Sequence, residues 1–232
     1  MTYLIIFLGL LPGFTWLLFY LQEEIHPEPK KMIAMVFLAG AFSAIVALLI
    51  QLLFGCAFVY HFGDCSRTIT EGIPGTPIVL LAFIAVEEIA KFAAAYLVVA
   101  KSKYFDAPVD AMIYMVVAAL GFATVENLAA LYSSGTSVLL NDIFEIATFR
   151  LVGTTLLHTL ASAIMGYFWA IGIRNFKNKF FILHGLFVAV ALHAAFNYLI
   201  LVEARSLYPI ALLATVGFFI LGDFDKLKRE KI

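Results

Sequence analysis

Long apolar runs alternate with short connections that carry proline, glycine and charge. The runs cover residues 3–21, 32 to about 60, 77–100, roughly 111–132, about 146–173, 180–202 and a shorter stretch from 208 to about 221. Each reaches or approaches the ~20 residues with which a helix crosses ~30 Å of hydrocarbon. The separators at 22–31, 61–76, 101–110, 133–145, 174–179 and 203–206 read as solvated loops, several marked by turn residues such as Gly63-Asp64, Pro74-Gly75 and Asn141-Asp142. This pattern predicts an all-α, polytopic transmembrane helix bundle of about seven spans. No polar stretch is long enough to fold separately, so a single membrane-embedded domain over residues 1–232 is expected. The first run is read as a retained span rather than a signal peptide, because no Lys or Arg precedes it, Pro12-Gly13 interrupts it and no small-x-small cleavage site follows.

Composition agrees with that reading. Hydrophobic residues make up 63% of the chain and charged residues 13%, too little polar material to cover a water-soluble surface. The net charge of −1 gives no reason to expect a nucleic-acid partner. The positions of the charges say more. Lys30, Lys31, Lys101, Lys103, Arg174, Lys177, Lys179, Lys226, Lys228, Arg229 and Lys231 fall in the first, third and fifth connections or the C-terminal tail, whereas Arg67, Arg150 and Arg205 lie toward the other side. The positive-inside rule then puts the C-terminus in the cytoplasm and the N-terminus outside. Cys65 lies outside on this topology and Cys56 near the outer end of the second span, so the two can form a disulfide or remain separate buried thiols.

Candidate chemistry begins with Glu87, Glu88 and Lys91 in the middle of the third run. A charge at the centre of a membrane helix costs roughly 2.5–3.5 kcal/mol even on lenient insertion scales, and it normally faces a polar interior or a partner. Counting 1.5 Å per residue along each span brings Glu126, His158 and His193 to comparable depths on three further helices, between the midplane and the outer leaflet. Lys91 is four residues from Glu87 and three from Glu88, so it can hold one carboxylate ionised while the other keeps its proton, an arrangement suited to acid–base work. His193 and Asn197 are four apart and share a face, placing an amide donor where it can stabilise an oxyanion. His158 and Ser162 share a face likewise. Alone, either histidine would be read as a packing residue, whereas Glu87, Glu88 and Lys91, which can also serve as packing glue between helices, already read more readily as a built site. Together they point to hydrolysis. Glu87 and Glu88 are expected to do the base and acid work with Lys91 poising them, Asn197 to donate to the oxyanion, and Glu126, His158 and His193 to hold a divalent metal such as zinc. A metal-free route, with a glutamate and a histidine activating water, fits the same residues. A proton-coupled transporter would also bury such groups, but no inverted repeat is visible.

Five motifs in order resemble the PrsW family of intramembrane proteases: Glu87-Glu88-x-x-Lys91, Phe105-Asp106-x-Pro108-x-Asp110, the segment Gly121 to Asn127, Arg150 with His158, and His193-x-x-x-Asn197. The loop from His26 to Lys31 is similar as well. The resemblance implies an endopeptidase of a prokaryotic cytoplasmic membrane that cuts membrane-anchored proteins, anti-sigma factors among them. More distantly the chain is similar to the CAAX prenyl proteases, with Phe122-x-x-x-Glu126 standing where they carry a histidine. One departure is Ala107, where the family commonly has Glu before the Pro-x-Asp; Asp106 or Asp110 would have to serve in its place.

Overall fold

The computed structural model describes residues 2–22, 28–59, 77–133, 140–174, 179–202 and 207–228. Among them the regular elements are all helical. They are α1 (Thr2–Leu21), α2 (Lys30–Phe54, prolonged by a π-helical turn Gly55–Val59), α3 (Pro77–Val99), α4 (Pro108–Ser133), α5, α6 (Lys179–Val202) and α7 (Tyr208–Lys228). Helix α5 joins Leu140–Phe149 to Thr155–Arg174 through a π-helical turn at Arg150–Thr154. Helices are what hydrocarbon permits, because each segment must pair its own backbone N–H and C=O groups. By length and composition α1, α2, α4, α5 and α6 can cross a membrane. Helix α3, at 23 residues, is equally long but carries Glu87, Glu88 and Lys91 at its middle.

Helix α4 is the axis of the bundle, packed against α1, α2, α3, α5 and α7, and every residue from Pro108 to Thr124 is buried. Small residues allow the approach. A Cβ at Gly40 on α2 would run into the Ala118 carbonyl, and one at Gly121 into the Phe37 carbonyl, so the α2–α4 crossing is backbone against backbone. The peripheral helices instead turn large apolar side chains outward, among them Phe7, Leu53, Ile78, Phe187 and Phe218.

The start of α4 explains the Phe-Asp-x-Pro-x-Asp motif. Pro108 opens the helix, where its missing N–H costs nothing. Asp110 reaches back with Oδ2 to accept from the Asp106 and Ala107 amides at 2.9 and 2.7 Å, the carboxylate half of a capping box. Phe105 stacks on Trp169 of α5, ring centroids 4.9 Å apart. Ala107 thus contributes its backbone amide, whatever its side chain. The Tyr114 hydroxyl, one turn further on, donates to Glu28, which is brought there by the chain just before α2. Burial, together with Asp110 and Asp106 nearby, pushes the Glu28 carboxyl up from its usual 4.5 to about 7, against the lowering influence of that hydroxyl.

Three boundaries differ from the sequence pattern. Helix α1 runs unbroken through Pro12-Gly13, with Gly13 seated against Thr124 of α4. Helix α5 starts at Leu140 rather than 146, so Asp142 sits in a first helical turn, where a carboxylate complements the helix dipole. Helix α7 continues to Lys228, beyond its apolar part. Cys65, His26 and residues 61–76, including Arg67, lie outside the described residues, as does Arg205.

Candidate active site

Four helices bring their ionisable side chains together. On α3 the Glu88 Oε1 atom accepts from Lys91 Nζ at 2.6 Å and from Nδ1 of His193, on α6, at 2.7 Å. Both carboxylate and ammonium are buried, at 1% and 0% exposure. Lys91 Nζ also lies 3.0 Å from Nδ1 of His158 on α5. The partners indicate the tautomers. A Glu88 carboxylate beside His193 Nδ1 calls for the proton there and leaves the Nε2 lone pair free, 3.8 Å from Glu87 Oε2. An ammonium beside His158 Nδ1 makes that nitrogen an acceptor and leaves the proton on Nε2, 2.7 Å from Glu126 Oε2 on α4, so a cation held by His158 would have to take the place of that proton. The two imidazoles meet edge to face, 5.0 Å between centroids.

Glu87, the next residue to Glu88, turns one carboxylate oxygen toward the histidines and the other toward α2. Its Oε1 accepts from Gln51 Nε2 of α2 at 3.0 Å, and Gln51 also approaches the Phe83 carbonyl at 3.4 Å. On α4, Phe122 and Glu126 are one turn apart and both meet His158. Phe122 packs 5.6 Å from its ring, with Lys91 Nζ 5.3 Å over the Phe122 face. Behind Glu126, Arg150 donates through Nε to Asn127 Oδ1 at 2.5 Å and brings its guanidinium within 3.9 Å of Glu126. Asn127 in turn donates to Thr155 Oγ1 at 3.0 Å. Arg150 belongs to the π-helical turn of α5, and Trp16 of α1 donates to the Leu151 carbonyl within that turn at 2.7 Å. Wide turns of this kind free carbonyls and recur at functional sites.

Of the residues expected from sequence, Glu87, Glu88, Lys91, Glu126, His158 and His193 form one connected cluster. Asn197 sits one turn along α6 from His193 and lines a cleft between α3 and α6. The expected metal set was Glu126, His158 and His193; the group whose donor atoms converge is Glu87, His158 and His193, within 4.8 Å of one another, with Glu126 touching His158 from the side. Sequence reading missed Gln51, whose signal is a lone amide in the apolar run of α2, and Thr155, a hydroxyl too ordinary in a membrane helix to stand out. The Phe105–Asp110 motif does not join the cluster: Asp110 and Glu126 lie 16 residues apart on one helix, about 24 Å at 1.5 Å per residue.

The chemistry of the donor set suits a divalent cation. Two imidazole nitrogens and a carboxylate oxygen are a zinc-type ligand set, and a ligating histidine usually has its other nitrogen held by a carboxylate, as Glu88 holds His193. In addition, Glu88 Oε2 and Ser162 Oγ are buried and meet no hydrogen-bond partner among the described residues, an uncommon state for polar atoms.

A family model described as PrsW family intramembrane metalloprotease matches residues 28–222. Among curated proteins, the chain is similar to Protease PrsW of Geobacillus kaustophilus, 28% identical over 88% of this chain and 83% of that protein. It is also similar to Protease PrsW of Clostridioides difficile, 24% identical over 88% of this chain and 80% of that one. No solved structure matches. The matched span takes in α2 to α6 and with them every member of the buried cluster, so this helical membrane protein belongs to the PrsW family of intramembrane proteases.

Proposed function

We propose that the chain hydrolyses peptide bonds of membrane-anchored proteins within the bilayer, at the Glu87–Glu88–Lys91–Glu126–His158–His193 cluster, with a divalent cation, zinc, held by Glu87, His158 and His193. The observation that carries this reading is the convergence of one carboxylate and two imidazoles, each backed by a further side chain, Gln51 behind Glu87, Glu88 behind His193 and Lys91 behind His158. When bound, such a cation supplies Lewis-acid polarisation of the scissile carbonyl and makes water a better nucleophile near neutral pH.

The chain's own residues supply the rest. Glu126 is 29% exposed and Glu88 1%, so a water molecule can meet Glu126 but not Glu88. Glu126 takes a proton from the attacking water and passes it to the departing amine as the C–N bond breaks. Glu88 and Lys91 do not take part in that transfer; they fix the rings of His193 and His158. Arg150 and Asn127 fix Glu126 from behind. Asn197 donates its amide to the carbonyl oxygen as negative charge develops.

The asymmetry of basic residues supports an N-terminus outside and a C-terminus in the cytoplasm of a prokaryotic plasma membrane, with the site in the outer half of the bilayer. The family resemblance supports substrates of the anti-sigma-factor kind. The test is cleavage of a single-pass model substrate by the purified protein in proteoliposomes. Wild type is expected to cut it, and Glu126→Gln and His193→Ala to lose at least about 100-fold while keeping their helical content. Full activity in both variants would sink the assignment. Cleavage by a protein shown to hold no metal would leave the hydrolase reading standing and transfer the work to the glutamates alone.

A further inference from the structure

A cleft of about 350 Å³ lies between the first half of α3 and the second half of α6. Leu80, Leu81 and Ile84 line it from α3, and Ala194, Asn197 and Leu201 from α6. Residues three and four apart share a helix face, and both faces continue into the proposed active site. Ile84 stands one turn before Glu87 and Glu88, and Asn197 one turn from His193. The two walls of the cleft thus end one helical turn from the cluster, and the amide assigned to the oxyanion sits in its otherwise mostly apolar lining.

Its size indicates what enters. A helix ~10 Å across that rises 5.4 Å per turn fills roughly 420 Å³ in each turn. The cleft does not enclose a whole substrate helix at this scale, but it has room for large side chains of a segment that lies along it. Among the described residues its lining has no charged side chain, so a charged occupant would lose its hydration without compensation from them.

Resting on the hydrolase reading above, we propose that this cleft is the side-chain subsite of the enzyme: it receives a bulky apolar residue, Leu or Phe in size, that flanks the scissile bond. A substrate helix that unwinds beside α3 and α6 would seat that residue between Leu81 and Ala194 and bring the adjoining carbonyl to Asn197. Selection then falls on apolar bulk next to the cut.

The experiment uses the full-length protein in proteoliposomes and single-pass substrates that carry Ala, Leu, Phe or Asp at each of the two residues flanking the mapped cut, in turn. At one of these positions wild type is expected to favour Leu and Phe over Ala by tenfold or more in kcat/KM, and to reject Asp. Ala194→Leu, which fills the cleft, should reverse the order of Ala and Leu. Leu81→Ala, at an exposed position where the fold tolerates truncation, should widen the cleft and raise the Phe-to-Leu ratio. Equal changes for all substrates in both variants, or a wild type indifferent to apolar bulk at both positions, would overturn the subsite and leave the cleft to lipid. No cleavage of any substrate by wild type would count against the hydrolase reading itself.

Discussion

Lys91 is fully buried between Glu88 and His158, and its position shows how costly this site is to build. A buried ion pair gains little over well-packed apolar residues, yet removing one partner strands the other and costs about 3–5 kcal/mol. Lys91→Met should therefore lower the unfolding temperature sharply, and adding Glu88→Gln to it should recover much of the loss without restoring cleavage. Thermal unfolding of the two variants beside wild type measures this; a single variant as stable as wild type would refute the pair's structural role. The cluster was legible in sequence because three ionisable residues in hydrocarbon stand out. The division of labour between Glu87 and Glu88 was not. Adjacent residues on a helix point in different directions, and only the neighbours show that Glu88 binds His193 Nδ1 while Glu87, held by Gln51, comes up on the Nε2 side. By the same token the expected acid–base role of Glu88 gives way, in our proposal, to a positioning one.

Among the helices, α4 shows how packing and charge are set at element ends and crossings. Its central stretch is buried on every side, so its apolar residues show no helical face, and a sequence window sees only another span. What distinguishes it is small residues such as Ala118 and Gly121 at the α2 crossing. Its second turn joins the chain just before α2 through Tyr114 and Glu28. Because the folded Glu28 carboxyl sits at about 7 instead of 4.5, the folded chain binds the proton more tightly than the unfolded chain. Stability from this group is thus fully present below about pH 4.5, falls as pH rises toward about 7 and is flat above. Between pH 5 and 8 the melting temperature of wild type should drop further than that of Glu28→Gln, measured in the same detergent. An equal drop in both would show that Glu28 titrates in the bundle as it does in water.

At the scale of the whole molecule, the proposed cation would tie α3, α5 and α6 together through Glu87, His158 and His193. A ligand that binds only the folded state stabilises it by about 2.7 kcal/mol at one hundred times its dissociation constant. Zinc should accordingly raise the unfolding temperature of chelator-treated wild type and do little for His193→Ala; a shift of equal size in both would place the ion elsewhere. The sequence alone determined the helical, membrane-embedded class, the approximate runs and the family. Each of these depends on hydropathy along the chain or on the order of motifs, and neither needs a partner helix to be known. Only the tertiary structure decided which helix is central, which carboxylate faces the histidine pair, and that Gln51 and Thr155 stand behind the site. The physical reason is that hydrocarbon and a packed helix interior accept the same apolar side chains. Hydropathy therefore marks the spans but not their facing, and only contacts between helices distinguish a lipid-facing residue from a buried one.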